Sequence, residues 1–144
     1  FVIEYNCRLG DPETEVILPR VQSDLLHVFD SLCTGMLTEV DVVIEERAAS
    51  TVILASGGYP GSYDKGMEIE GLDAVDGIDG LVFHAGTKEV RRKVLSNGGR
   101  VLALTGFGYD LESALKNSYQ LASRVGFEGG FCRKDIGADV MESI

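Results

Sequence analysis

The sequence has little cysteine, no long apolar run and an excess of acidic residues. Its three cysteines, Cys7, Cys33 and Cys132, are odd in number and lack metal or redox spacing, which predicts free thiols in a reducing compartment such as the cytoplasm. No apolar run approaches the roughly 18 residues that a membrane-spanning helix needs. We therefore expect a cytoplasmic protein without a membrane partner.

Basic residues are scarce, which bears on the class of partner. The chain has 13 Lys and Arg against 23 Asp and Glu, a net charge of −10. The one basic run, Arg91-Arg92-Lys93, is short and lies beside Glu89, so we interpret it as a solvated surface. An acidic chain without a larger basic cluster argues against binding to nucleic acid.

The chain does not begin with Met but with Phe1-Val2-Ile3, an apolar run typical of a buried strand. Because such a strand needs neighbours on both sides, we expect the sequence to be part of a longer enzyme. No secretory signal is visible at this start, and a missing N-terminus would hide one.

The first part of the chain predicts a strand followed by two helices. Residues 1–6 have the apolar pattern of a strand. Asp11 followed by Pro12 is typical of a helix cap and a first helical position. A second helix is predicted from about 23 to 33, ended by Gly35.

From about residue 38 the pattern predicts a β-rich module with one long helix. Asn97-Gly98 indicates a hairpin between two apolar stretches, and Asp110 begins a helix of about 111–125. The predicted fold class is therefore α+β. The strand candidates are residues 40–46, 51–56, 67–69, 80–83 and 100–105.

Three polar side chains near the N-terminus suggest nucleotide chemistry. Glu4 and Asn6 are two residues apart, so in a strand both point to one face. A carboxylate and an amide oxygen suit a hard cation such as Mg²⁺, which usually also binds nucleotide phosphates. Arg8 continues the alternation and is suited to bidentate binding of a phosphate or carboxylate.

The same stretch carries a family resemblance that extends along nearly the whole chain. Glu4-Tyr-Asn6-Cys-Arg8-Leu-Gly10-Asp11-Pro12-Glu13 closely resembles the signature of the phosphoribosylamine–glycine ligase family, within the ATP-grasp superfamily. Five further blocks resemble that family in its order: Ala55-Ser-Gly-Gly-Tyr-Pro-Gly61, Tyr63-Asp-Lys-Gly66, Val82-Phe-His-Ala-Gly-Thr87, Asn97-Gly-Gly-Arg-Val-Leu102 and Arg133-Lys-Asp-Ile-Gly137.

The resemblance implies an organisation and an activity. Residues 1–37 would be the end of an ATP-grasp catalytic domain and residues 38–144 the small C-terminal domain. The parent enzyme would join 5-phosphoribosylamine to glycine at the expense of ATP, through glycyl phosphate, in de novo purine biosynthesis. Its partners would be these small molecules and the N-terminal part of the ligase, without which this chain is expected to be inactive.

The resemblance also implies roles for individual residues. Glu4 and Asn6 would coordinate Mg²⁺ or Mn²⁺, and Arg8 would act as a catalytic residue that faces the transferred phosphate. Asp11 and Glu13 would help to position the glycine amine or Arg8, although their local role at a helix start is a sufficient alternative.

Two departures from the family signature leave these proposed ligands in place. Leu9 stands where the family usually has Phe, and Cys132 where it usually has an aromatic residue. The first change is from one apolar residue to a smaller one, so it concerns packing.

Two other functions remain open at this point. Another ATP-grasp enzyme, such as a carboxylase, would have a similar metal pair, although Gly10-Asp11-Pro12-Glu13 favours the ligase. A non-enzymatic β-rich binding module would explain only the C-terminal part. The sequence assigns no chemical role to His84 or Lys65, and the glycine pairs at 57–58 and 98–99 are typical of tight turns.

Overall fold

The computed structural model describes residues 1–3 and 5–141. The chain divides into two compact units, Phe1–Arg47 and Ala48–Ile144. None of the helices in these described ranges is both long enough and apolar enough to cross a membrane.

The first unit is built from short helices. The second helix is capped by Asp24, whose carboxylate accepts a hydrogen bond from the Leu26 backbone N–H at 2.9 Å. It ends at Gly35, whose φ of 74° is left-handed, as the sequence predicts. The helical elements are α1 (Thr14–Ile17), a 3₁₀ turn (Leu18–Arg20), α2 (Leu25–Thr34) and a second 3₁₀ turn (Leu37–Glu39).

Three predictions for this unit are wrong. Residues 1–3 and 5–6 form no strand, and residues 40–46 contribute only one isolated bridge, from Ile44 to Val21. A strand needs a continuous ladder of backbone hydrogen bonds to a neighbour. Residues 1–3 and 5–6 have no such pairing within the described residues, and around Ile44 the pairing is limited to two bonds, from the Gln22 N–H to the Val43 carbonyl at 2.9 Å and from the Glu45 N–H to the Arg20 carbonyl at 2.6 Å. The first helix begins at Thr14 instead of Pro12, because residues 11–13 form a turn and Glu13 takes the cap position.

The second unit is an α+β domain with antiparallel sheets. A four-stranded sheet has the order β2-β5-β1-β6, and β3 and β4 form a separate two-stranded sheet. Strand β5 lies at the centre and pairs antiparallel with both β1 and β2. The elements are β1 (Ala48–Ser56), β2 (Gly80–His84), β3 (Thr87–Val90), β4 (Lys93–Ser96), β5 (Arg100–Gly108), α3 (Leu111–Arg124), β6 (Gly130–Phe131) and α4 (Ala138–Met141).

The predicted hairpin at Asn97-Gly98 is wrong. These residues link β4 of the small sheet to β5 of the large one, and the two strands do not pair with each other. The hairpin turn of the small sheet lies earlier, at Arg91 and Arg92, between the paired residues Val90 and Lys93. Asn-Gly favours a reversal of the chain, but which strands pair is decided by the apolar faces they bury.

Helix α3 packs directly against the central strands of the large sheet. Asp110 caps it as predicted, accepting a hydrogen bond from the Ser113 backbone N–H at 2.8 Å; hydrogen bonds from Ser113 lower the pKa of this carboxyl. A Cβ atom at Gly106 would lie 2.4 Å from the Ser118 nitrogen, and one at Gly108 would lie 2.3 Å from the Ala114 nitrogen. The two glycines therefore let the helix approach the backbone of β5.

A buried hydroxyl pair joins α3 to the sheet. Ser118 Oγ lies 2.6 Å from Ser50 Oγ on β1 and donates to the Ser50 carbonyl at 2.9 Å. It also accepts a hydrogen bond from the Gly106 N–H of β5 at 2.9 Å. Ser118 is completely buried. Its hydroxyl therefore satisfies groups on two adjacent strands in a place where water does not reach.

The apolar core lies between α3 and the large sheet. Leu121 and Val125 at the end of the helix pack with residues of β1 and β5. Burial of these side chains supplies the main free energy of folding for this unit. The buried apolar cluster is Leu54, Ile69, Val101, Leu102, Leu104, Leu121 and Val125.

We predict that Ser118→Ala destabilises the chain by about 1–3 kcal/mol, because the Gly106 N–H and the Ser50 hydroxyl lose their partner inside the core. Urea unfolding measures this free energy. Ser123→Ala, on an exposed position of the same helix, serves as the control and is expected to change the stability by less than about 0.5 kcal/mol. Equal effects from the two variants would contradict the role of Ser118.

We predict that Arg91→Asn/Arg92→Gly stabilises the chain by about 1–3 kcal/mol. Both arginines have a positive φ, 51° and 65°. In this conformation the Cβ atom of most residues lies too close to the backbone carbonyl oxygen, whereas Asn-Gly adopts it readily. Urea unfolding measures the free energy of unfolding of this variant and of the control Lys116→Asn, which removes an exposed charge on α3. The comparison separates the effect of the turn from the effect of lost charge. A loss of stability in the turn variant would argue against the left-handed turn.

Candidate functional site

The structure places the predicted phosphate-site residues of the first unit on its surface. Glu4 lies outside the described residues, so the prediction that it forms a metal pair with Asn6 stays a prediction. Asn6 is exposed and belongs to no helix or strand. Arg8 is also exposed, and its Nη1 donates to the Leu9 carbonyl at 3.0 Å.

Glu13 has a local structural role in the turn before α1. Its Oε1 accepts a hydrogen bond from the Gly10 backbone N–H at 2.6 Å, and its carbonyl accepts from the Ile17 N–H at 2.9 Å. Asp11 lies in the same turn and is exposed. Binding of substrate by Asp11 or Glu13 stays a prediction.

A metal-binding cluster would be built from histidine, cysteine or acidic side chains. Within residues 1–3 and 5–141, no group of three such side chains is placed to hold a metal ion.

The second unit brings three of the resemblance blocks together at one end of its large sheet. We call this assembly the glycine-loop cluster; it consists of residues 56–61, Gly86 and residues 97–99. The Ser56 backbone N–H donates to the Gly99 carbonyl at 2.8 Å, and Ser56 Oγ donates to the Gly98 carbonyl at 2.8 Å. Ser56 is only 2% exposed, so these bonds fix the two loops to each other.

Tyr59 covers the backbone of Gly99 in this cluster. A Cβ atom at Gly99 would lie 2.1 Å from Tyr59 Cδ2, closer than two atoms can approach. The Tyr59 ring also meets the Tyr63 ring edge to face, with 6.1 Å between the ring centroids. Lys65 Nζ lies 5.9 Å from the centroid of the Tyr63 ring, within the range of a cation–π contact.

Gly86 and Gly98 form the other close contact of the cluster. A Cβ atom at Gly86 would lie 2.7 Å from the Gly98 Cα. The Asn97 N–H donates to the Gly86 carbonyl at 2.7 Å. His84, at the end of β2, is exposed, and its Nδ1 is hydrogen-bonded to Thr87 Oγ1 at 3.1 Å. The glycines therefore permit backbone packing, in agreement with their interpretation as tight turns.

Another resemblance block, residues 133–137, forms a polar loop after β6. Arg133 donates two hydrogen bonds to the Asp135 carboxylate, at 2.9 and 2.7 Å. This pairing lowers the pKa of the Asp135 carboxyl and raises that of Arg133. Tyr119 of α3 holds the loop, because its hydroxyl donates to the Arg133 carbonyl at 3.1 Å and accepts from the Ile136 N–H at 3.0 Å. A surface cavity of about 450 Å³ adjoins it.

Sequence reasoning missed the contacts that hold these loops. An aromatic residue between glycines, as at Tyr59, was the available signal for the contact with Gly99. Nothing in the local pattern indicated that Tyr119 would reach the loop after β6, because the two are joined only by the fold. All three cysteines are free thiols in the structure.

The fold and its loop cluster define an α+β domain in which one long helix packs on an antiparallel sheet, with glycine-rich loops at one end of that sheet. The chain belongs to the family described as phosphoribosylglycinamide synthetase, C domain, whose model matches residues 49–139.

Individual relatives agree with this membership. The phosphoribosylamine–glycine ligase of Vibrio cholerae is 47% identical over 136 residues, which cover 94% of this chain and 32% of the relative. The human trifunctional purine biosynthetic protein adenosine-3 is 47% identical over 137 residues, covering 94% of this chain and 14% of that protein.

A solved structure shows the same fold. The phosphoribosylamine–glycine ligase of Thermotoga maritima matches with a TM-score of 0.73 and 38% identity, covering 94% of this chain and 33% of that one. The chain thus spans about a third of the length of the bacterial relatives described here.

We predict that Gly99→Ala destabilises the chain by about 1–3 kcal/mol through its collision with the Tyr59 ring. In a Tyr59→Ala background the same substitution is expected to cost less, because the ring is gone. A double-mutant cycle in urea measures this coupling free energy. Additive effects of the two substitutions would show that the ring does not limit the space at Gly99.

Proposed function

We propose that this chain is the C-terminal part of an ATP-dependent ligase that joins 5-phosphoribosylamine to glycine in purine biosynthesis. The observation that carries the proposal is the similarity over 94% of the chain to a protein named phosphoribosylamine–glycine ligase. The family match over residues 49–139 agrees with it. Both favour the ligase over a carboxylase or a non-enzymatic module.

The proposed reaction has two steps. A glycine carboxylate oxygen attacks the γ-phosphorus of ATP, and the bond from that phosphorus to the bridging oxygen breaks, giving glycyl phosphate and ADP. The amine nitrogen of 5-phosphoribosylamine then attacks the acyl carbon of glycyl phosphate. Phosphate leaves, and the nitrogen loses a proton as the amide forms.

Arg8 is proposed to stabilise the negative charge of the transferred phosphoryl group. Its guanidinium stays charged and presents two parallel N–H donors. In the described structure only the contact with the Leu9 carbonyl engages Arg8, and the side chain is exposed, which supports its availability for an anion. Asp11 and Glu13 are proposed to position the glycine amine or Arg8 at the same turn.

Glu4 and Asn6 are proposed to hold Mg²⁺ or Mn²⁺ together with ATP. Carboxylate and amide oxygens suit such a cation, and exposed Asn6 offers one of them. The metal would supply charge screening for the ATP phosphates. The remaining ligands would come from the phosphates and water, since a magnesium site rarely consists of protein groups alone.

The first unit is proposed to contain the end of an ATP-grasp domain, over residues 1–37, with residues 38–144 forming the C-terminal domain. Large apolar side chains of residues 1–37 are exposed, which supports a need for further protein around them. The N-terminal part of the ligase is the proposed cover. These side chains include Phe1, Ile3, Tyr5, Leu26, Phe29 and Leu32.

We propose a cytoplasmic location for the enzyme. The free thiols Cys7, Cys33 and Cys132 support a reducing compartment.

The test uses the full-length polypeptide that contains this chain. We expect ADP release to require ATP, glycine and 5-phosphoribosylamine together. Glu4→Gln should lower kcat/KM by about a hundredfold or more, because a metal ligand is lost, and added Mg²⁺ should restore part of the rate. Glu128→Gln, which removes an exposed carboxylate in the second unit, should leave the rate unchanged.

Three results would contradict parts of this proposal. ADP release that requires bicarbonate in place of glycine would assign the enzyme to the carboxylases. Full activity of Glu4→Gln would remove Glu4 from the metal site. Turnover by the 144-residue chain without added polypeptide would overturn its role as a part of the ligase.

A further inference from the structure

The turn that joins β3 to β4 has an unusual composition. The register from Val90 to Lys93 leaves Arg91 and Arg92 as the two turn residues. They are the only described residues other than glycine with a positive φ, at 51° and 65°. Turns of this kind normally use asparagine, aspartate or glycine. Two arginines are therefore a poor choice for folding the hairpin.

The turn also concentrates positive charge on an acidic chain. Lys88, Arg91, Arg92 and Lys93 are all exposed, with one exposed carboxylate, Glu89, among them, while the whole chain carries a net charge of −10. Lys93 is engaged, because its Nζ lies 2.6 Å from Glu68 Oε2. Within the described residues, the side chains of Arg91 and Arg92 make no hydrogen bond or ion pair.

We propose that the hairpin tip, defined here as Lys88, Arg91 and Arg92, binds the phosphate groups of a small anionic ligand. Backbone strain and repulsion between neighbouring charges persist in proteins where function requires them. Arg91 and Arg92 are successive residues, and each guanidinium group provides paired N–H donors, which match phosphate oxygens. This inference stands on the hairpin alone and does not depend on the proposed ligase activity.

The size of the ligand follows from the charge distribution. An extended polyanion such as nucleic acid would also approach the acidic remainder of the chain and be repelled. A compact phosphate ligand contacts the tip alone, within about one Debye length of its charges. The exposed tip includes no aromatic side chain to stack on a base, so the phosphate is the group recognised.

The test is a titration of the ¹⁵N-labelled chain at low salt, followed by NMR. The probes are tripolyphosphate, ATP and ribose 5-phosphate, added separately. We expect shifts of the amide signals at residues 88–93, with saturation. Arg91→Asn/Arg92→Gly keeps the turn and removes both charges, and it should weaken the affinity at least about tenfold. Arg91→Lys/Arg92→Lys should weaken it less.

A matched control removes two charges elsewhere. Lys116→Asn/Arg124→Gln alters exposed cations on α3 and should leave the affinity unchanged. Preference for tripolyphosphate and ATP would assign a polyphosphate chain, and preference for ribose 5-phosphate would assign a sugar phosphate; both support the proposal. Absence of saturable shifts at the tip, or equal weakening by the α3 control, would overturn it.

Discussion

The contact between α3 and strand β5 is the constraint on which the second unit depends. Gly106 and Gly108 let the helix lie against the strand backbone, where any Cβ atom would collide with it. Ser118 then reaches both β1 and β5 through hydrogen bonds inside the core. Because apolar packing is non-directional, these polar contacts set the position of the helix on the sheet, while burial supplies most of the free energy.

This arrangement also determines where the loops meet. The large sheet is antiparallel, so the end of β1, the end of β2 and the start of β5 lie at the same end of the sheet. Ser56, Gly86 and Gly99 are distant in sequence but become neighbours there. The close packing of their backbones explains why glycine occurs in three separate blocks. The loop cluster is thus a consequence of the sheet topology together with small residues at three loop positions.

The two units contrast in how much apolar surface they bury. The second has a continuous core from Leu54 to Val125, and a protein family is defined on nearly the same residues, 49–139. The first leaves Leu26, Phe29 and other large apolar side chains exposed. This difference agrees with the proposal that the chain is part of a longer ligase, in which the proposed chemistry would belong to the first unit.

Short sequence patterns by themselves determined several local features of this protein. The cap at Asp110, the left-handed Gly35 and the helical period of α3 each depend on residues close in sequence, and each was predictable. The motif from Glu4 to Glu13 indicated the family. Tertiary structure alone decided that residues 1–3 and 5–6 form no strand, that Asn97-Gly98 joins two sheets and that Tyr59 covers Gly99. These features depend on partners distant in the chain, and strand pairing follows the burial of whole faces, which no short sequence window records.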